Sequence, residues 1–541
     1  MKLIDKIICE KNIAIAISNL KKNKGSKTPG IDGNTILDII ENKEQIIQKI
    51  KVELGVCLYK PSLIKRIEIP KENGKTRPLG IPTIYDRVVQ QSIKQILEPI
   101  LDKKFHANSF GFRPNRSAEN AIALNNNLIN RGNLYFVVDI DIKSFFDNIN
   151  HNKLIKQLYK IGIKEAKILK LIKVMLKSDV LLPDGSIIKS IKGTPQGGVL
   201  SPLLANVVLN ELDWWIHRQW SGIKTQHDYG AQNHKERALK KTKLIEVKLV
   251  RYADDFKLFC RSRKNAEIMF SLTKNFLKKR LKLEVSREKS KVINLKKKSS
   301  EFLGFRIKAV RNKKKRTART WILEKRKHKI LQKLKEQIKI IQKYKSKAQA
   351  IKYNAMILGI QNYYNIATMV NIDLGRIGYI LTRILKNRLG KGNYKKDILY
   401  ERRYSKYNYK VWNVNKITLF TLDACKFKVP KQYSKRKKTR IEIDRLYRYT
   451  ELGDKNWEVL RAKVRYMYNS KCAVTNEYIN GNNNFHIHHI IPQKNGGKDT
   501  LENLILLKPE VHRALHSKNA IEHYEGNQTY KMLLESLSKY I

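Results

Sequence analysis

The chain has 541 residues, with 111 Lys+Arg against 48 Asp+Glu, a formal charge of +63 and a pI near 10.1. That length allows about three or four domains, and that charge exceeds what solubility requires, so a polyanionic partner is expected, with tight and steeply salt-dependent binding. An anionic membrane is disfavoured, because neither a basic amphipathic anchor nor an apolar stretch of spanning length is present, and Met1 to Ile8 is too short and too charged for a signal peptide.

In chain order, the first pattern with chemical content is Ile69-Pro70-Lys71-Glu72-Asn73-Gly74-Lys75-Thr76-Arg77, in which Lys71 and Arg77 stand about a turn with Asn73-Gly74 at its tip, where cations are ordinarily solvated. Next, Leu134-Tyr135-Phe136-Val137-Val138-Asp139-Ile140-Asp141 is an apolar, β-forming run that ends in acid. It reads as a buried strand delivering carboxylates. Asp139 and Asp141 lie two apart and share a face, so spacing alone does not say which one binds metal. The loop Pro195-Gln196-Gly197-Gly198 permits close backbone approach to a ligand, or simply a turn. Tyr252-Ala253-Asp254-Asp255 then places two carboxylates at a hairpin tip between Leu249-Val250 and Phe256, Leu258, Phe259. Paired Mg²⁺ ions need several carboxylates in one place, which makes the acidic strand end the complement of this turn.

These segments carry a resemblance. Asp141-Ile142-Lys143-Ser144-Phe145-Phe146-Asp147, Gly193-Thr194-Pro195-Gln196-Gly197-Gly198 and Tyr252-Ala253-Asp254-Asp255 resemble, in order, three palm motifs of reverse transcriptases. Thr28-Pro29-Gly30-Ile31-Asp32-Gly33, the Ile69 to Pro82 turn, Phe110-Gly111-Phe112-Arg113-Pro114-Asn115-Arg116-Ser117, Glu284-Val285-Ser286-Arg287-Glu288-Lys289 and Phe302-Leu303-Gly304-Phe305 resemble blocks of group II intron-encoded proteins. The resemblance runs from about Lys24 to Ile307. It implies that Asp141, Asp254 and Asp255 hold two Mg²⁺. It also implies that Phe145 excludes a 2′-hydroxyl, and that Lys71, Arg77, Gln196 and Lys289 meet the incoming nucleotide.

Beyond Ile307 a basic loop, Arg311 to Arg316, leads into helical periodicity at Ile330, Leu331, Leu334, Ile338 and Ile341, and again at Leu374, Ile377, Leu381, Ile384 and Leu385. A helical bundle with a basic face suits a polymerase thumb, and Gly359-Ile360-Gln361-Asn362-Tyr363-Tyr364 resembles the maturase (X) signature of the same intron proteins. From Lys391 to Asp454 the chain interleaves Tyr with Lys and Arg, in Tyr400 to Tyr409 and Lys431 to Arg440. That suits base stacking with phosphate contact, or a basic linker.

The last module holds Cys472-Ala473-Val474-Thr475, His486-Ile487-His488-His489, Gly496-Gly497, Asn503 and Val511-His512 to His516. His488 and His489 point to opposite strand faces, and His512 and His516 stand one helical turn apart, so one His can act as base while others share a ligand. The module resembles an HNH, ββα-metal nuclease. The resemblance implies His489 as general base, Asn503 orienting the site, and His488, His512 and His516 around one divalent ion. Many such modules carry two Cys-x-x-Cys pairs; here only Cys472 remains, with Thr475, Lys508 and Val511 in the other places. One thiolate does not make a tetrahedral Zn²⁺ site. No structural zinc ribbon is expected, and packing around Trp457, Leu460, Val464 and Tyr466 is expected to replace it. The five scattered cysteines also argue against a disulfide framework and for a reducing compartment.

The expected architecture is multidomain α+β: right-hand fingers and palm with an antiparallel palm sheet over 1–310, a helical thumb or X domain over 311–395, a basic DNA-binding segment over 396–455, and a ββα-metal HNH domain over 456–541. The expected activities are RNA-directed DNA polymerisation primed at the target, maturase assistance to splicing, and nicking of target DNA for retrohoming. A splicing-only maturase and a domesticated reverse transcriptase outside an intron are the alternatives. Expected partners are intron RNA, target DNA, an RNA template with DNA primer, dNTPs and a second copy as a homodimer, with no membrane. The expected location is the bacterial cytoplasm, as a nucleoid-associated ribonucleoprotein, with an organelle as the alternative and no secretion.

Overall fold

The computed structural model describes residues 2–70, 74, 76–433, 461, 464–465, 467–468, 470–479, 485–493, 500–517, 520–524 and 526–538. Lys71, Trp457, Leu460, Tyr466, Gly496, Gly497 and the stretch 434–440 therefore lie outside the described residues. The chain forms two compact units, Met1–Thr439 and Arg440–Ile541.

In the first unit, β1 (Ile64–Pro70) and β2 (Thr76–Ile81) make the antiparallel hairpin predicted around Asn73-Gly74. Helix Glu10–Lys21 buries Ile13, Ala16, Ile17 and Leu20, an i, i+3, i+4 stripe, in the same core as Val88, Val89 and Leu97 of helix Ile84–Asp102. Thr83 caps the latter helix by accepting from the Asp86 amide. β3 (Phe136–Ile140) is the acidic strand. β4 (Val180–Leu181) and β5 (Ile187–Ile188) extend the hairpin into a sheet ordered β2-β1-β4-β5.

β6 (Val247–Tyr252), β7 (Asp255–Cys260) and β8 (Lys291–Asn294) join β3 in an antiparallel sheet ordered β6-β7-β3-β8. Its central apolar positions are fully buried: Val137, Val138, Val250, Leu258 and Phe259 are 0% exposed. Strands covered on both faces read as continuous apolar runs.

β9 (Ser300–Phe302), β10 (Phe305–Asn312) and β11 (Lys315–Ile322) form a third sheet, so the boundary expected at 310 falls inside β10 and cuts a continuous hairpin. Helices Glu324–Tyr344, Lys347–Tyr364 and Val370–Leu389 follow. Ile330, Leu334, Ile338, Ile341, Leu374, Ile377, Leu381 and Leu385 are buried at the predicted spacing. Tyr363 stacks on Phe305 with centroids 5.7 Å apart, and its hydroxyl donates to the Leu303 carbonyl, tying the X-like signature to the Phe302 to Phe305 block.

The segment from 396 to 433 is not a separate module. Its helix Ile398–Tyr404 and the small hairpin β12 (Asn413–Val414) and β13 (Ile417–Thr418) pack on the helices, with Tyr400 0% and Tyr404 2% exposed. These two tyrosines are core, so they are not available to stack on bases. The period of that stretch hid this, because Tyr400 and Tyr404 lie four apart on a helix face.

In the second unit, β14 (His486–His489) pairs antiparallel with β15 (Leu504–Leu507), followed by helix Pro509–Leu515. The core gathers Val464, Val474, Ile487, Leu504, Leu506, Val511, Leu515 and Leu533.

Candidate active sites

The first site grows from the register of the β3–β7 pair. Ile140 faces Phe256, so Asp141, the next residue, leaves the sheet beside Asp255 at the head of β7. Asp254 comes from the two-residue turn Ala253-Asp254 closed by the Tyr252–Asp255 pair and Asp255 opens β7, with Ala253 in the left-handed region at φ 57°. A non-glycine residue there is strained.

Two features hold it. Gly111 lies so close that a Cβ on it would fall 2.3 Å from the Ala253 nitrogen, and Arg251 Nη1 donates to the Ala253 carbonyl at 2.8 Å. The Arg251 guanidinium also forks onto Asp213 at 2.7 to 3.0 Å and reaches Asn206 Oδ1 at 2.9 Å. Arg251 and Asp213 are both 0% exposed. Sequence reading passed over this network, although an arginine within the apolar run Leu249-Val250-Arg251 signals a buried partner.

Neighbours distinguish Asp139 from Asp141. Asp139 accepts from Lys257 Nζ at 2.6 Å and from the Ser300 hydroxyl, which makes it a structural ion pair. Asp141 stays at the sheet end, 40% exposed, with Lys289 Nζ 3.3 Å away. Burial and then the Asp141 charge raise the Asp254 carboxyl above its ordinary range, against Arg77 and Arg251. Asp255 keeps an exposed edge, yet crowding desolvates it; with Asp139, Asp254 and Asp141 adding to that against Lys257, its carboxyl rises to about 6. Among the described residues neither Asp254 nor Asp255 makes an ion pair, and the Asp254 carboxylate meets its own backbone amide. This donor set, three hard oxygen ligands in a crowded place, fits divalent ions of the Mg²⁺ type.

Arg77 pairs with Ile69 in the β1–β2 hairpin and is close enough to act on Asp254. Gln196 lines a cavity of about 500 Å³ with Arg66, Gly80, Ser144, Asp147 and Lys192. Its loop is clamped where the Gly80 amide donates to the Gln196 carbonyl, and a Cβ on Gly197 would meet the Gly80 carbonyl at 2.5 Å. Phe145 is 3% exposed and packs edge-on against Phe146 at 5.4 Å, inside the core.

The second site is histidine-rich. Alternation along β14 sends His488 toward helix Pro509–Leu515, where His488, His512 and His516 bring one ring nitrogen each within 4.8 Å of one another. Among the described residues, no other group of three His, Cys, Asp or Glu side chains converges so tightly, the three carboxylates of the first site included. His488 Nε2 is buried with no hydrogen-bond partner. Burial, then neighbouring imidazoles, holds His488 down at about 4, and burial, His486 and His516 do the same for His512. Neutral imidazoles around an orphaned nitrogen are what a divalent ion needs.

Asn503 braces the strand exit: the Ile491 amide donates to its Oδ1 at 2.7 Å and its Nδ2 donates to the Ile491 carbonyl at 3.0 Å. His486, part of the motif but given no role there, stacks on His512 with centroids 4.6 Å apart. Where a zinc ribbon would stand, Cys472 Sγ accepts from the Lys508 amide, Lys508 pairs with Glu477, and Val511 is 0% exposed. That donor set does not fit Zn²⁺.

Residues 69–307 match the family described as reverse transcriptase (RNA-dependent DNA polymerase), and residues 471–518 match the HNH endonuclease family. Protein YkfC of Escherichia coli is 34% identical over half of this chain and 73% of its own length. Group II intron-encoded protein LtrA of Lactococcus lactis is 32% identical over 68% of this chain and 70% of its own. The chain belongs to the group II intron-encoded proteins. A putative COX1/OXI3 intron 1 protein of Saccharomyces cerevisiae is 29% identical over 54% of the chain and 38% of its own length. As a group II intron-encoded protein, the chain combines reverse transcriptase, maturase and HNH endonuclease functions. No helix among its described residues is long and apolar enough to cross a membrane.

Proposed function

We propose that the β6–β7 turn and the end of β3 form the polymerisation centre, with Asp141, Asp254 and Asp255 as ligands of two Mg²⁺. The observation that supports this most directly is the register that carries Asp141 to the head of the β7 strand that begins with Asp255. The chemistry supplied at these carboxylates by bound Mg²⁺ is activation of a primer 3′-hydroxyl and bridging of the incoming triphosphate. Arg77, Lys71 and Lys289 bind that triphosphate, Gln196 positions the nucleotide through its clamped loop, and Phe145, backed by the core, excludes a ribose 2′-hydroxyl. The three-helix bundle serves as thumb and maturase domain.

In the second unit His488, His512 and His516 hold one divalent ion, whose contribution is to stabilise charge on the scissile phosphate and the departing 3′-oxygen. His489, on the other strand face, takes the proton from the attacking water, and Asn503 fixes the loop that carries it. Nicked target DNA supplies the primer and intron RNA the template, the sequence of events that amounts to retrohoming. We assign the protein to a cytoplasmic ribonucleoprotein.

Primer extension on RNA and nicking of duplex DNA test both centres in one preparation. Asp254→Ala is expected to lose extension by at least roughly a thousandfold while nicking continues, and His489→Ala the reverse, as for removal of groups that contact the reacting atoms. Extension by Asp254→Ala at the wild-type rate would sink the first assignment.

A further inference from the structure

Away from both centres, a cavity of about 550 Å³ opens among Asn371, Gly375, Tyr407, Tyr409, Asp423 and Phe427, in the size range of a small-molecule pocket. No function assigned above uses it. Tyr407 and Tyr409 stack on each other with centroids 5.4 Å apart and planes 25° apart, and Phe427 is 42% exposed. Lys426, which also lines the cavity, has its ammonium 5.9 Å from the centre of the Tyr407 ring.

The one acid in the cavity is held rigidly. Gln361 Nε2 donates to the carbonyls of Thr421 and Leu422, fixing the segment that carries Asp423. Gly378 comes so near that a Cβ there would fall 2.9 Å from the Asp423 Cβ. Asp423 makes no ion pair with any lysine or arginine among the described residues, although the chain carries 111 of them. Burial raises its carboxyl above the ordinary range, against hydrogen bonds from the Asp423 and Ala424 amides, which also fix its orientation.

Aromatic faces, a lysine at the rim and one fixed carboxylate make up a reader of an unstacked base: rings stack on the base, ammonium meets phosphate, and the carboxylate takes the base edge. The edge is selective. Two carboxylate oxygens match two adjacent donors, and on the Watson–Crick edge only guanine presents them, at N1 and N2. Adenine, cytosine and uracil each set an acceptor beside the donor, which a carboxylate repels. We propose that this pocket binds a splayed guanine of single-stranded RNA, with Asp423 as its specificity determinant.

Gly375 supplies the means of testing this, because its side-chain direction is open, with nothing within 4 Å of a Cβ. Leucine at a helical position is favoured over glycine, so Gly375→Leu fills the pocket without a folding penalty. The full-length protein is titrated, in salt high enough to suppress non-specific phosphate binding, against labelled oligoadenylate RNA carrying one central guanine, inosine or adenine. The expected result is a preference for guanine over adenine of roughly tenfold, in line with one bidentate base contact. Inosine, which lacks the N2 amino group, falls between them.

Gly375→Leu and Asp423→Asn should both erase the preference while melting as the wild type does. A wild type that does not distinguish the three strands overturns the proposal, as does a preference that survives both substitutions. Free guanosine monophosphate is the competing source of the same base. Displacement of the labelled strand by the nucleotide at equal concentration overturns the assignment to RNA, and failure to displace it supports the strand.

Discussion

Arg251 braces the turn proposed as the polymerisation centre through its bond to the Ala253 carbonyl. Replacing it with methionine leaves Asp213, which is 0% exposed, as an uncompensated buried charge, a loss of about 3 to 5 kcal/mol. The same change removes the hydrogen bond to the Ala253 carbonyl, worth about 1.5 to 3 kcal/mol for a charged donor. Left-handed backbone at Ala253, with φ 57°, costs about 1 to 2 kcal/mol. The bond is at least as large as the strain it opposes, so without Arg251 the turn is left to the close approach of Gly111 and the Tyr252–Asp255 pair.

Arg251→Met is therefore expected to lower stability and slow extension together, which does not separate the two effects. Arg251→Met with Asp213→Leu does. Removing both charges should restore most of the stability, whereas the turn still lacks the bond to the Ala253 carbonyl, so the rate should remain roughly ten- to a hundredfold down, about 1.4 to 2.8 kcal/mol in the barrier, with a raised Mg²⁺ requirement. Thermal unfolding in chelator and single-turnover extension across a Mg²⁺ series read the two quantities. A double variant with the wild-type rate and Mg²⁺ dependence would refute the positioning role.

Asp255→Asn is expected to stabilise the chelated protein at neutral pH. A carboxyl raised from 3.8 to about 6 by folding binds its proton more tightly in the folded state, so stability falls as pH rises from about 4 to 6. Allowing for solvent screening at its exposed edge, the gain at pH 7.5 is about 1 kcal/mol, and it should vanish near pH 4; a gain independent of pH contradicts the burial argument. His488 and His512, held at about 4, predict the opposite slope for the second unit in chelator, where stability is lost as pH falls from about 6.5 to 4. Amide exchange in β14 and β15 measures it, and protection unchanged across that window would contradict it. Chelation at neutral pH should stop nicking while those same amides stay protected, because Val511, Leu504 and Leu506 pack the core where thiolates would hold Zn²⁺; unfolding of the unit by chelator alone would show that a metal supports the fold.

The sequence by itself determined which chemistries the chain carries. Carboxylates at Asp254 and Asp255 between strand-like flanks, alternating His488 and His489, and the i, i+4 pair His512 and His516 are local patterns, and periods of two and 3.6 residues assign faces without any tertiary information. The same periods spaced Leu334, Ile338 and Ile341 correctly for burial. What a period leaves open is the neighbour on that face. Asp139 and Asp141 were equivalent until Lys257, 118 residues away, claimed the first. Tyr400 and Tyr404 read as surface stackers until the helices covered them, and Arg251 found Asp213 and Asn206 across 38 and 45 residues. Those choices belong to the tertiary structure, since the energy of a buried polar group is set by partners that only folding brings within hydrogen-bond reach.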